Sequence, residues 1–207
     1  MKRIPDETIG RLFPYLRALM CLEKEGTQAV TSSRLSEICN IKSTKIRKDL
    51  SYFGDFGKRG VGYDVIELKK EIKKILNIAQ SQRVALVGVG NIGRALLSFP
   101  GFTSEGFRIV MAFDNDAKKI GQKINDVEIQ SVENLEEKIE KSGIQLVILA
   151  VPEDSAVSIA NELAKGGVKA LLSFAPCQLN MPKTIKTTCI DLSTEIARLI
   201  YYSSEDQ

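Results

Sequence analysis

The sequence predicts an α/β fold: a small helical domain, then a doubly wound parallel sheet, then one terminal helix. Three observations predict it. A short apolar run at 83–87 leads directly into Gly88-Val89-Gly90-Asn91-Ile92-Gly93 and a helix-forming segment. Beyond it, apolar runs alternate with amphipathic stretches, the rhythm of strands joined by crossover helices. Ahead of it lie three short helical patterns and a glycine-flanked pair of cations, Lys58-Arg59. The predicted domains are 1–79, 80–190 and 191–207, with Gln80-Ser81-Gln82 marking the first boundary.

The first helical pattern covers about residues 6–25, with Ile9, Leu12, Phe13, Leu16, Leu19, Met20 and Leu22 near helical spacing. Pro14 predicts a break or kink inside it, and Gly26 a stop. A second helix follows Thr31-Ser32-Ser33, any of which can cap it, and buries Leu35 and Ile38. Asn40-Ile41-Lys42 turns into a third helix, capped by Ser43 and stopped by Gly54. There Ile46, Leu50 and Phe53 form an apolar stripe, leaving Lys45, Arg47, Lys48, Ser51 and Tyr52 outward. A short helix, a tight turn and a helix with a basic, hydroxyl-bearing outer face make a helix-turn-helix arrangement. Lys and Arg reach phosphates or guanine edges, and Ser and Tyr donate to phosphates. Taken alone, an ordinary amphipathic helix with a charged outside would look the same.

The segment after that helix favours DNA. Residues 55–65 alternate aromatic or apolar residues around Lys58-Arg59-Gly60, the pattern of a β-hairpin with a flexible basic tip. The predicted domain is therefore a winged helix, whose wing can place Arg59 in a narrow, strongly negative minor groove. Charge agrees. Residues 1–78 hold 16 Lys/Arg against 10 Asp/Glu, whereas 79–207 hold 13 against 16, so the overall +3 conceals a basic N-terminal third. Residues 65–79 read as a helix linking the halves.

The glycine segment has a mechanical reading. Gly88 permits a tight turn, Gly90 lets backbone approach a pyrophosphate, and Gly93 lets helix pack on strand. Val89, Asn91 and Ile92 complete the cradle, where N–H groups at a helix start face phosphates. A second apolar run, 109–113, ends in Asp114, about 20 residues past the last glycine and placed for a ribose diol. Asp114-Asn115-Asp116 would repel a 2′-phosphate, favouring NAD(H) over NADP(H), although Lys118 and Lys119 are close by. A short strand at 127–129, a helix at 132–142, a strand at 144–151, a helix at 155–165 and a strand at 168–173 complete the Rossmann-like sheet. Ligands in such sheets lie beyond strand C-termini, which puts Val151-Pro152 and Phe174-Ala175-Pro176 beside the nucleotide. The last helix, 191–202, is capped by Ser193 or Thr194. Its face of Ile196, Leu199 and Ile200 must bury itself on its own domain or in a partner subunit.

Composition excludes other classes. No apolar run reaches the roughly 18 residues a membrane helix needs, and residues 1–7 turn polar at once, so a cytoplasmic location is expected. Cys21, Cys39, Cys177 and Cys189 lack any CxxC pairing, and histidine is absent, so no metal site is expected. An NAD-dependent dehydrogenase is the competing reading. The missing histidine and the little chain left for a substrate domain argue against an enzyme, although a Lys or Tyr could serve as proton donor. A regulator that binds another adenine-containing ligand, such as CoA, is a third.

The blocks IRKDLSYFGDFGKRGVGY at 46–63, VALVGVGNIGRALL at 84–97, FDND at 113–116, LAVP at 149–152 and SFAP at 173–176 closely resemble the Rex family of redox-sensing transcriptional repressors. The likeness runs from Ile4-Pro5 to Tyr201-Tyr202. It implies a homodimer on operator DNA that NADH releases, with NAD⁺ competing, and a C-terminal helix exchanged between subunits. It also implies that Arg17 and Asp191 join an inter-subunit network that senses the cofactor. One departure is Phe99, where the family often has Tyr; Phe cannot donate a hydrogen bond in that network.

Overall fold

Burial of one face makes the first amphipathic segment a single helix, α1 (Asp6–Lys24). A computed structural model describes residues 4–58 and 60–205, and the chain divides into two compact units, Met1–Gln80 and Ser81–Gln207. Of the break or kink expected at Pro14, the break does not occur: α1 runs through it. An interior proline costs about 3 kcal/mol, but each fully buried large side chain returns about 1.5–3 kcal/mol, and Leu12, Tyr15, Leu16 and Leu19 all flank it at zero exposure. The helix ends in a left-handed Gly26 (φ 76°). Gly26 N–H donates to the Glu23 carbonyl and Thr27 N–H to that of Leu22, the paired bonds of a Schellman stop.

β1 (Ala29–Val30) comes next, then α2 (Ser32–Cys39), capped by Thr31, whose side chain accepts from Arg34 N–H. Leu35 is buried as expected, but Ile38 is 40% exposed. The helix stops one residue later, at Cys39, whose Sγ reaches the Pro14 carbonyl of α1. α3 (Ser43–Ser51) has Lys42 as its cap; Ser43 is its first helical residue, not the cap expected. β2 (Gly57–Lys58) and β3 (Gly62–Asp64) form the predicted hairpin. β1 adds to it antiparallel in the order β1-β3-β2, pairing Val30 with Tyr63. Asp64 then caps α4 (Val65–Ile75), which is shorter than expected.

The second unit is a seven-stranded sheet ordered β10-β9-β8-β4-β5-β7-β6. In chain order its elements are β4 (Gln82–Val87), α5 (Asn91–Leu97), α6 (Gly101–Ser104), β5 (Phe107–Asp114), β6 (Lys123–Ile124), β7 (Val127–Ser131), α7 (Leu135–Ser142), β8 (Leu146–Leu149), α8 (Glu153–Lys165), β9 (Ala170–Ser173), β10 (Lys186–Cys189) and α9 (Leu192–Glu205). All pairings are parallel except β6 with β7, a tight hairpin through the left-handed Asn125 and Asp126. Alternation along β4 divides the core. Ala85 and Val87 join Phe113, Leu135, Ile139 and Leu163 on one face. Val84 and Leu86 join Leu97, Ile109 and Ile129 on the other. β5 lies on one side of β4 and β8 on the other, so the chain reverses direction beside β4, where ligands of such sheets bind.

Candidate nucleic-acid interface and nucleotide site

On the first unit, Lys45, Arg47, Lys48 and Ser51 are exposed on α3, and Tyr52 is half-buried just beyond it. Arg47 Nη1 donates to Ser32 Oγ at 2.7 Å, tying the guanidinium to the start of α2. Ser51 Oγ donates to the Lys48 carbonyl at 2.8 Å. Lys58 lies exposed on β2 and Gly60 turns at φ 83°, while Arg59 lies outside the described residues. A cleft of about 500 Å³ opens between α3 and the hairpin, lined by Arg47, Ser51, Lys58, Gly60 and Tyr63. Gly62 fixes the wing's seat: at φ 98° a Cβ there would lie 2.5 Å from the Val30 carbonyl oxygen.

Behind this surface is a group that the sequence reading missed. Asp49 of α3 is buried, and Thr8 Oγ (3.1 Å), Arg11 Nε and Nη2 (2.6 and 2.9 Å) and Tyr15 Oη (2.8 Å) all donate to its carboxylate. Burial pushes the Asp49 carboxyl up, but those donors outweigh it and hold it below the usual range. Burial and the same carboxylate push the Tyr15 hydroxyl well up. An acid at position i+3 within the Ile46–Leu50–Phe53 stripe was the available signal.

On the second unit, the expected nucleotide residues gather at the C-terminal ends of four adjacent strands, β5, β4, β8 and β9. At about 4.8 Å per strand the row spans roughly 14 Å. The three glycines differ in what surrounds them. A Cβ on Gly88 (φ 95°) would meet the Ala150 carbonyl oxygen at 2.4 Å, and one on Gly93 the Gly88 oxygen at 2.1 Å. A Cβ on Gly90 would meet nothing within 4 Å. Gly88 and Gly93 are thus needed by the fold, whereas Gly90 leaves open space that suits a close-lying phosphate. Gly90 caps α5, Asn91 begins it, and Ile92 is 41% exposed in its first turn. Val151 is half-buried and Pro152 exposed at the end of β8. Beyond β9, Phe174 is half-buried, Pro176 exposed, and Ala175 packed into the core with its N–H on Ser173 Oγ.

Asp114, expected to meet a ribose, is buried, and both its carboxylate oxygens are hydrogen-bonded within the protein. Its Oδ2 accepts from Val89 N–H at 2.7 Å and Lys119 Nζ at 3.1 Å, and its Oδ1 from Asp116 N–H at 2.9 Å. Burial raises its carboxyl, but the Asp116 and Val89 amides with Lys119 hold it below the usual range. The carboxylate therefore shapes the glycine loop, and Lys119 offsets the charge of Asp114 and Asp116 together.

Of the three residues implied in sensing, Arg17 is exposed on α1 with its guanidinium 5.0 Å from the Phe13 ring centroid. Phe99 is half exposed and packs edge-on against Phe102, centroids 5.0 Å apart. Asp191 accepts from Ser193 N–H at 2.9 Å and Thr194 Oγ at 2.6 Å, so Asp191 caps α9, not the Ser193 or Thr194 expected.

The family described as "CoA binding domain" matches residues 79–177, and "Putative DNA-binding protein N-terminus" matches 3–51. The redox-sensing transcriptional repressor Rex of Chloroflexus aurantiacus is 42% identical over 203 residues, 98% of this chain and 96% of that protein. The chain belongs to the Rex family. Rex of Carboxydothermus hydrogenoformans is 41% identical over 99% of this chain and 98% of its own. Among solved structures, RSP in complex with β-NAD⁺ and operator DNA matches with a TM-score of 0.92 at 33% identity, covering all of this chain and 95% of that one. RSP in complex with β-NADH matches at 0.87 and 32%, covering all of this chain and 97% of that one.

Proposed function

We propose that this chain binds operator DNA as a homodimer and is released from it when NADH fills the Rossmann unit, NAD⁺ competing for the same site. One observation carries the reading. A basic helix and wing, and a glycine cradle with open space at Gly90, occur in one chain whose full length matches a relative solved with both NAD⁺ and operator DNA. Lys45, Arg47, Lys48, Ser51 and Tyr52 engage the major groove and its phosphates. Lys58, Arg59 and Gly60 meet the adjacent minor groove.

Linkage gives the mechanism. Two recognition helices must lie about 34–36 Å apart to enter successive major grooves. A ligand that binds better to a dimer with another spacing weakens DNA binding by the same factor. A switch from about 1:99 to 99:1 needs roughly 5.5 kcal/mol of differential affinity. NADH and NAD⁺ differ by a hydride and a ring charge. A largely apolar rim, with Val151 and Phe174 half-buried and Pro152 and Pro176 exposed, desolvates the ring and disfavours the cationic form. Gly88 through Gly93 and Asp114 hold the rest of the coenzyme. Arg17, Phe99 and Asp191 carry the signal between subunits, Phe99 through ring packing, not a hydrogen bond.

The apolar face of α9 supports the dimer. Ile196, Leu199, Ile200 and Tyr201 are each more than half exposed, so the helix does not bury itself on its own unit, and exchange into a partner supplies the missing cover. The chain reads the coenzyme without turning it over, in the cytoplasm; among the described residues no helix is long and apolar enough to cross a membrane. Calorimetric titration with NADH, NAD⁺, NADPH and CoA tests the ligand, with NADH tightest. Tighter binding of CoA, or hydride transfer to a panel of small carbonyl compounds, would overturn the reading.

A further inference from the structure

Asp49 is an anion on the helix assigned to meet phosphates, yet it points inward. Its three partners, Thr8, Arg11 and Tyr15, sit at i, i+3 and i+7 of α1, one face of one helix. A buried ion pair is a poor source of stability, because desolvating both charges offsets most of their attraction. Four directional bonds to one carboxylate do something apolar packing does less well. Leucine contacts tolerate small slides and rotations, whereas hydrogen bonds weaken steeply with angle and distance. Arg47 and Ser51 lie on the opposite face of α3, while Lys45 and Lys48 flank Asp49 beside Thr8 and Arg11. On the proposed reading these cations must meet base edges and phosphates within hydrogen-bond reach. A few degrees of helix rotation would move those long side chains by an ångström or more.

We propose that Asp49 is a positioning residue for operator recognition: clamped by Thr8, Arg11 and Tyr15, it fixes the rotation and register of α3 against α1. The inference rests on the reading that α3 enters the major groove, and it adds where the precision of that contact comes from. Phosphate attraction tolerates a misaligned helix, because it is long-ranged and indifferent to sequence. Base readout does not.

The test uses the full-length protein and two variants, Tyr15→Phe and the apolar triple variant Arg11→Met/Tyr15→Phe/Asp49→Leu. Affinity is measured at one salt concentration for an operator duplex and for an unrelated duplex, with NADH titration and thermal melting alongside. Both variants are expected to melt cooperatively near the wild-type temperature and to keep NADH affinity and unrelated-duplex affinity. Operator affinity of the triple variant is expected to fall about tenfold or more, the scale of one bidentate base contact, and that of Tyr15→Phe by a smaller factor. A folded triple variant with the wild-type ratio of operator to unrelated affinity overturns the proposal, as does an equal loss on both duplexes. Should the triple variant not fold, Tyr15→Phe decides alone: a wild-type ratio overturns it. A wild-type protein that does not prefer operator at all would instead defeat the DNA-binding reading itself.

Discussion

The Val89 amide donates to Asp114 Oδ2 at 2.7 Å, joining the turn after β4 to the end of β5. This bond makes the glycine loop a fixed cradle. Asp114→Asn puts an amide N–H where one of these donors now points, leaving a buried donor without an acceptor. The expected loss is about 1–3 kcal/mol of stability, with NADH affinity falling in parallel, read by melting and by calorimetric titration.

The same carboxylate gives a pH dependence. The folded value of Asp114 lies below its ordinary 3.8, so its contribution is complete above 3.8 and disappears as pH falls through the folded value. Asp49 follows the same sign. The stability gap between wild type and Asp114→Asn, followed by denaturant unfolding, is expected to be flat at neutral pH and to close in acid. A gap that widened in acid would contradict the bonding described.

Gly90 and Gly93 separate coenzyme binding from folding. Gly90→Ala enters open space at a helix cap, where the change costs at most about 2 kcal/mol, yet it places a methyl where a pyrophosphate would lie. Stability is expected to stay close to wild type while NADH affinity drops at least tenfold. Gly93→Ala collides with the Gly88 carbonyl and is expected to lower the melting temperature as well. Paired melting and titration of the two variants check the contrast.

The proposed exchange of α9 makes the assembly depend on its apolar face. Leu199→Asp or Ile200→Asp is expected to yield a monomer by sedimentation with much weaker operator binding, because one half-site alone remains. A variant that stayed dimeric would show that other surfaces hold the subunits together.

On the proposed DNA surface, Arg47 and Lys58 would each neutralise phosphate charge. Replacing either by Ala is expected to lower the slope of log affinity against log salt by about 0.9 for each phosphate that is no longer neutralised. Equilibrium binding over a range of salt concentrations measures it.

Much of this was legible in the sequence, because it was written in spacing. The glycines and Asp114 lie at separations that a strand, a tight turn, a helix and a second strand satisfy. The structure places the glycines in the turn after β4 and the start of α5, with Asp114 at the end of the adjacent β5. Elements without periodicity were not legible. β10, a Lys186–Cys189 run on the sheet edge with every residue exposed, carries no alternation, and β1 is two residues long. Pro14 did not break α1, because local propensity yielded to tertiary burial. Asp49 was overlooked because an acid flanked by Lys48 and Leu50 looks like an exposed residue until its partners, more than thirty residues earlier, fold back onto it. The cap of α9 was misplaced within its first turn because Asp191, Ser193 and Thr194 all favour caps.

The most direct measurement is fluorescence anisotropy of a labelled operator duplex held at half-saturation with the protein at fixed salt. Added NADH is expected to release the duplex, and NAD⁺ added beforehand to shift that release to higher NADH. Unchanged anisotropy at saturating NADH, in a preparation that calorimetry shows to bind the coenzyme, would contradict the coupling of the two units.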